Sequence, residues 1–345
     1  MRVAVVTSSP PKAEGGHMVI ARELAEAVRE SGHDAEIVVT PDYGFGRQSR
    51  AYWDTWRTNV SQLGGLRVDR VVSLRYPSYA VRHPQHVCWL NHTMREYYDL
   101  WPRWQGELSA RGRIKERVRR TLIHAADRYL LTRNVTRLFV QSRTIQARLA
   151  MWPSLRSTVL YPPAPRRGYR TEAYGPEFLF VSRLTPLKRC GLVVDALAQP
   201  DGAGLRLVVA GEGEESASLK RHAAELGLAD RVTFVGRLTD EQLLDHLARC
   251  RAVVFPPLQE DYGFVTVEAF ASRKAVITCR DSGGPAELVH DGVSGLVCEP
   301  TAPAMASAMR TLSEDAALAE RLGAAAFEAG AALTWPGTVR ALVLE

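Results

Sequence analysis

The sequence predicts an α/β protein built from two parallel sheets, each wrapped by helices, and three observations carry that reading. Apolar, β-branched runs alternate with helix-spaced segments along nearly the whole chain. The alternation is broken once, at Tyr161-Pro-Pro-Ala-Pro-Arg-Arg-Gly-Tyr-Arg, which packs three prolines into five residues. Charge also divides the chain. Residues 1–165 hold 25 Lys+Arg against 14 Asp+Glu, a net +11, whereas residues 166–345 hold 19 against 24, a net −5.

Arg2–Ser8 reads as a buried strand that stops at Ser-Ser-Pro-Pro. Gly15-Gly16 follows, then helical spacing over Met18–Glu30, closed by Gly32, and a second strand at Asp34–Thr40. Strand, glycine loop, helix, strand is how a parallel sheet begins. Further strands fit Val68–Leu74, His86–Leu90, Arg137–Gln141 and Val159–Leu160, and helices fit Tyr52–Leu63, Glu107–Leu131 and Thr144–Ala150. Beyond the prolines, strands fit Phe178–Val181, Leu205–Ala210, Arg231–Val235, Ala252–Phe255, Ala275–Thr278 and Gly295–Cys298. Helices fit Gly191–Ala198, Glu214–Leu226, Asp240–Ala248, Val265–Ser272, Pro285–His290 and Ala302–Leu322. The reading is a first domain at 1–164, a linker at 165–176 and a second domain at 177–330. Segment 331–345, with Trp335–Leu344, is too short to stabilise itself and is expected to pack back on the first domain. Two open sheets on one linker would leave a cleft, because ligands bind beyond the carboxyl ends of the strands.

Hydrophobic residues make up 46% and charged residues 24% of the 345, which excludes a disordered tail, a collagen-like chain or a disulfide miniprotein. The apolar runs fall far short of the roughly 20 residues of a spanning helix. Residues 1–20 carry no secretion signal, so a cytoplasmic protein is expected. Cys88, Cys190, Cys250, Cys279 and Cys298 show no CxxC spacing and read as reduced thiols, not as a metal site.

The strongest chemical signal is Glu260-Asp-Tyr-Gly-Phe-Val-Thr-Val-Glu268-Ala. Pro256-Pro257 and Gly263 keep its first half out of a helix, so Glu260 falls in a loop and Glu268 in a helix starting near Phe264. The Gly263 and Phe264 amides would head that helix, where anions and hydroxyls bind. Carboxylates that accept paired hydroxyls suit a sugar or a ribose, although solvated glutamate pairs share this spacing. Val181-Ser-Arg183-Leu-Thr-Pro-Leu-Lys188 sets two cations between a strand end and a helix, where they neutralise a diphosphate or simply stand in solvent. Gly15-Gly16 either lets a backbone approach a phosphate or makes a plain turn. Ser282-Gly-Gly-Pro-Ala-Glu287 is another glycine-rich helix start.

Taken together, Ser182-Arg183-Leu184 with Lys188, Gly211-Glu-Gly213, Phe234-Val-Gly236-Arg237, Glu260-x7-Glu268 and Ser282-Gly-Gly-Pro-x-Glu287 appear in order. The set resembles the retaining glycosyltransferases of family 4, whose GT-B fold has two Rossmann-like domains facing across a cleft. The likeness is dense over residues 178–300 and looser before them, where the glycine loop, Tyr161-Pro-Pro and Cys88-Trp-Leu-Asn-His92 still match. It implies that Arg183 and Lys188 grip the nucleotide diphosphate and stabilise it as a leaving group. Glu268 would accept the ribose hydroxyls, and Glu260 with the Gly263 and Phe264 amides would hold the donor sugar. Main-chain atoms around Arg237-Leu238 would meet the base, Gly15 and Gly16 would admit the phosphates, and His92 would face the donor sugar. His17 departs from the acidic or aliphatic residue that often follows the family's glycine loop.

The implied activity is hexosyl transfer with retention, from a UDP- or GDP-linked sugar to a saccharide, glycolipid or small-metabolite acceptor. The chain contains no Asp-x-Asp, so leaving-group charge would be met by Arg183, Lys188 and helix N-termini, with no metal or other cofactor, in a front-face substitution. Two alternatives stand beside it. A nucleotide-sugar epimerase of the same fold lacks the Glu-x7-Glu arrangement, and a basic nucleic-acid binder would leave the carboxylates and glycine loops unused. Tyr97, Tyr98, Trp101 and Trp104 read as core packing, with a sugar-stacking wall as the sharper alternative. Residues 111–120 form a basic helical stretch with Ile114, Val118 and Leu122 beneath it. A solvated face is its ordinary reading, and docking on the anionic inner face of a membrane is the sharper one.

Overall fold

Apolar runs such as Val3–Val6 and Val71–Val72 have no exposed surface, which requires a sheet covered on both faces. The computed structural model, which describes residues 1–10 and 15–345, builds two such sheets, one in each of two units. The first unit comprises Met1–Pro162 with Thr334–Glu345, and the second Pro163–Leu333.

In the first unit, strands β1 (Arg2–Ser9), β2 (Asp34–Pro41), β3 (Arg70–Arg75), β4 (His86–His92), β5 (Arg137–Val140) and β6 (Thr158–Val159) pair in the order β2-β1-β3-β4-β5-β6. In the second, β7 (Glu177–Val181), β8 (Arg206–Ala210), β9 (Val232–Gly236), β10 (Val253–Val254), β11 (Val276–Cys279) and β12 (Gly295–Cys298) pair in the order β9-β8-β7-β10-β11-β12. All of these pairings are parallel. Strand order reverses at β1/β3 and at β7/β10, where loops leaving the carboxyl ends diverge and open a crevice.

Most expected elements lie within a few residues of their predicted bounds. One helix stops at Arg57, and Gln62–Leu63, expected to end it, pair instead with Leu66–Arg67 in a small antiparallel hairpin. The stretch expected as one helix over 302–322 is two, Ala302–Glu314 and Ala316–Ala331, separated by Asp315, which caps the second through the Leu318 amide. Among the described residues no helix is long and apolar enough to cross a membrane.

Segment 165–176, expected as a linker, instead runs along the second unit and is bonded to it. Thr171 Oγ1 donates to the Ser272 carbonyl at 2.8 Å, and Tyr174 Oη to that of Arg273 at 2.6 Å. Buried Lys274 donates to the Ala173 carbonyl, and Glu172 pairs with Arg249 at 2.6 Å. Proline supplied the apparent break, but the polar side chains following it decide where the segment lies. The chain's final turns return to the first unit. Arg137 donates to the Ala341 and Leu342 carbonyls at 3.0 and 3.3 Å, Arg70 donates to that of Val343, and Trp335 meets Trp89 edge-on at 6.3 Å.

The basic stretch belongs to the Ala110–Arg133 helix, and its orientation corrects the sequence reading. Ile123, Leu130 and Leu131 face the core, while Ile114, Val118 and Leu122 are exposed. The helix turns its two acids inward. Asp127 is fully buried and accepts from Tyr52, Tyr79 and Tyr98, the last at 2.5 Å, and Glu116 accepts from Tyr97 at 2.7 Å. Tyr97, Tyr98 and Trp101 are core residues of the same cluster.

Two outcomes follow. Trp335→Ala removes a buried ring and is expected to cost about 3–5 kcal/mol in denaturant unfolding. Burial pushes the Asp127 carboxyl up to about 6 against the pull of the three phenols. A carboxyl raised in the folded state favours folding below its unfolded value near 4 and loses that contribution as pH rises through 6. The stability of the parent protein relative to Asp127→Asn should therefore fall, by on the order of 3 kcal/mol, between pH 4 and pH 7. Measuring the difference cancels the opposite slope from buried His86, whose imidazole is pulled down to about 4 by desolvation.

Candidate functional site

At the β7/β10 reversal two loops leave the sheet, Ser182–Arg189 after β7 and Phe255–Gly263 after β10. Both rest on bare backbone. A Cβ at Gly211 or Gly213 would come within 1.8 Å of the Ser182 carbonyl oxygen or 2.2 Å of that of Leu184. A Cβ at Gly284 would lie 2.6 Å from Tyr262 Cα. The Ser282-Gly-Gly segment is thus a brace for the Glu260 loop. Glu260 N–H donates to the Ser282 carbonyl at 2.9 Å, and Gly284 N–H returns to that of Glu260 at 2.8 Å.

Arg189 fastens the loops to each other. Its guanidinium donates to the Pro256 and Pro257 carbonyls at 2.6 and 2.7 Å and grips both Asp281 oxygens at 2.8 and 2.7 Å. One side chain therefore ties the ends of β7, β10 and β11 together, and it does so from a left-handed backbone, φ +53°.

The predicted residues fall into two groups on this frame. Lys188 and Glu260, 72 positions apart in sequence, form an ion pair at 2.6 Å, with Lys188 Nζ also 5.7 Å from the centre of the Phe255 ring. Gly263, at φ +83°, is the N-cap of the Phe264–Ala271 helix, so the Gly263 and Phe264 amides head it beside the Glu260 loop. Arg183, on the same loop as Lys188, is exposed, and its side chain makes no hydrogen bond or ion pair among the described residues.

The second group surrounds Glu268, which lies within that helix and is buried. Arg167 donates to Glu268 Oε1 and reaches Asp240 at 3.1 Å, and Tyr169 Oη lies 3.4 Å from the same carboxylate oxygen. Burial pushes the Glu268 carboxyl above its usual range, with Arg167 and Tyr169 pulling the other way. Asp240 opens the helix that follows Arg237-Leu238, so Arg167 brings that turn beside Glu268. Arg237 is exposed, and Leu238 packs on the core of the unit.

The remaining predicted residues belong to the first unit. Gly15 is the extended N-cap of the Gly16–Glu30 helix, which follows β1, and His17 in that first turn lies 3.1 Å from Ser9 Oγ. His92 is the last residue of β4, half-buried at the carboxyl edge of that sheet. Sequence reasoning missed Arg167, Tyr169 and Arg189. The first two sit in the segment read as a linker, and Arg189 neighbours Lys188 without any spacing to mark it. Among the described residues no group of three His, Cys, Asp or Glu side chains is arranged to hold a metal ion.

A doubly wound sheet binds its ligands at the strand reversal, which is where these charged loops lie. Residues 167–329 match the family of glycosyl transferases group 1, so the second unit carries a group 1 glycosyltransferase domain. The chain is 31% identical over 164 residues to an α-D-kanosaminyltransferase of Streptomyces kanamyceticus, a match covering 46% of this chain and 42% of that enzyme. It therefore spans less than half the length of that curated relative. Among solved structures, sucrose-phosphate synthase from Thermosynechococcus elongatus superposes with a TM-score of 0.77 at 20% identity, covering 99% of this chain and 96% of that one. Anabaena HepE in complex with UDP and glucose superposes with a TM-score of 0.70 at 18% identity, covering 99% of both chains. These likenesses place the fold in the GT-B class.

Arg189→Ala should lower the unfolding free energy by about 1.5–3 kcal/mol, because it strips charge-assisted bonds from Asp281 and two proline carbonyls. Arg183→Ala, at an exposed position, should change stability by no more than about 0.5 kcal/mol. Thermal denaturation of the two variants side by side checks the contrast.

Proposed function

We propose that this protein is a retaining family 4 glycosyltransferase. It moves a hexose-type sugar from a UDP- or GDP-linked donor to a saccharide, glycolipid or small-metabolite acceptor, and it needs no metal. The observation that carries the reading is the Lys188–Glu260 pair, with exposed Arg183 on the same loop as Lys188, at the strand reversal of the group 1 domain. A diphosphate arriving there meets one cation that is unengaged among the described residues and a second that can turn from its carboxylate to a phosphate oxygen. The turn frees Glu260 to accept sugar hydroxyls, and the Gly263 and Phe264 amides supply fixed positive ends close by. Negative charge growing on the departing diphosphate is met by Arg183 and Lys188, and in the front-face scheme its oxygen helps deprotonate the acceptor.

Glu268 is assigned to the ribose hydroxyls and the main chain at Arg237-Leu238 to the base. Arg167 and Tyr169 orient the Glu268 carboxylate and pull its pKa down against the upward push of burial. Gly15, Gly16 and His92 are assigned to the same donor by the family resemblance alone. The kanosaminyltransferase supports transfer of a sugar, and the HepE structure in complex with UDP and glucose supports a nucleotide carrier for it.

Calorimetry with UDP and GDP tests the assignment. Arg183→Ala and Lys188→Ala should each weaken nucleotide binding by about 1–3 kcal/mol. Glu268→Gln should weaken nucleotide binding as well, whereas Glu260→Gln should chiefly depress turnover. Unchanged affinity in both cation variants would remove the diphosphate assignment, and loss of all transfer in chelator would remove the metal-free one.

A further inference from the structure

The Ala110–Arg133 helix carries an exposed apolar ridge that the sugar-transfer reading leaves unused. Ile114, Val118 and Leu122, one turn apart, are 69%, 58% and 66% exposed, and Tyr129 continues the line at 66%. Trp53 and Trp56 of the Gln48–Arg57 helix stack on one another at 5.4 Å and are also open to solvent. Both tryptophans, Val118, Leu122 and Tyr129 line a single groove of about 700 Å³, so these side chains form one continuous surface. Scattered exposed apolar residues are ordinary, but a contiguous set is not.

Its rim is of one sign. Every acid of the helix is turned inward, Glu116 onto Tyr97 and Arg119 and Asp127 onto three tyrosines. Its exposed charges, Arg111, Arg113, Lys115, Arg117, Arg128 and Arg133, are all cationic. Arg82 lies 4.1 Å over the Trp56 ring and Arg57 5.9 Å over that of Trp53, adding cations on the far side of the groove. Cations alone would fit a nucleic acid, and an apolar face alone would fit another protein. Aliphatic and indole side chains in the middle, with arginines at the edge and no exposed acid on the helix, match a bilayer interface with anionic headgroups.

We infer that this face docks on an anionic lipid bilayer, with Ile114, Val118, Leu122, Trp53 and Trp56 entering the headgroup–acyl boundary and the arginines binding lipid phosphates. The docking is peripheral. It concerns the first unit alone and does not rest on the sugar-transfer reading.

The test is co-sedimentation of the full chain with vesicles of phosphatidylcholine, with and without phosphatidylglycerol. Binding should be at least about tenfold stronger to the anionic vesicles, at about 1 kcal/mol per engaged cation. Ile114→Ser with Leu122→Ser, and separately Arg113→Gln with Arg117→Gln, should each reduce it by about tenfold or more. These positions are exposed, so circular dichroism should show both double variants folded. UDP and GDP affinities, read by calorimetry, should match the parent, which separates failure of docking from failure of the donor assignment. The inference is overturned by equal binding to neutral and anionic vesicles, or by no loss in the variants. It is equally overturned if the same variants abolish a tighter affinity for duplex DNA, or a self-association seen in sedimentation velocity.

Discussion

The Arg189 guanidinium is the contact on which the second unit's site depends. Pro256 and Pro257, just beyond β10, offer carbonyls but no N–H, and Arg189 donates to both carbonyls. A lysine could meet such acceptors only as a point charge, whereas the planar fork satisfies two carbonyls and a carboxylate together. A left-handed conformation costs a residue with a Cβ roughly 1–2 kcal/mol, and here four bonds over-determine it. With this tie in place, the Lys188 loop and the Glu260 loop keep the separation their ion pair records.

Charge in the site is held in pairs because little of it is in water. Glu268 is buried, and Arg167 and Tyr169 offset part of that cost; Glu260 and Lys188 are each under one fifth exposed and meet each other. Breaking such a pair without replacing it would strand a charge, so each group can change partner only for a ligand bearing the right complement. Arg183 stands outside this arrangement, exposed and without a side-chain bond among the described residues. The glycines behind both loops serve the same end. At Gly211, Gly213 and Gly284 a side chain would occupy the space of neighbouring main chain, so the loops are set by close approach, not by their own preferences.

The first unit solves a related problem in the opposite sense. The Ala110–Arg133 helix has apolar residues on two faces, and the one that goes inside carries Ile123, Leu130 and Leu131 together with both acids. Asp127 is met there by three phenols, and Glu116 by Tyr97 and by Arg119 of the same helix. Ile114, Val118 and Leu122 are left outside among the arginines, although hydrophobicity alone would have put them in.

Periodicity and punctuation in the sequence determined the two parallel sheets, the strand bounds to within a few residues, and the loop placement of Glu260 against the helical placement of Glu268. These are local properties, set by side-chain spacing and by where proline and glycine interrupt it. The 282–287 segment was legible as a helix start but not as the brace behind Glu260. Only the tertiary structure decided which charges meet. Lys188 and Glu260 are separated by 72 residues, Arg189 and Asp281 by 92, and Arg167 and Glu268 by 101, distances across which no spacing rule operates. It also decided that residues 165–176 lie along the second unit, and that the basic helix shows its aliphatic ridge to solvent. In each case the outcome rests on contacts between groups far apart in the chain, which a linear pattern does not contain.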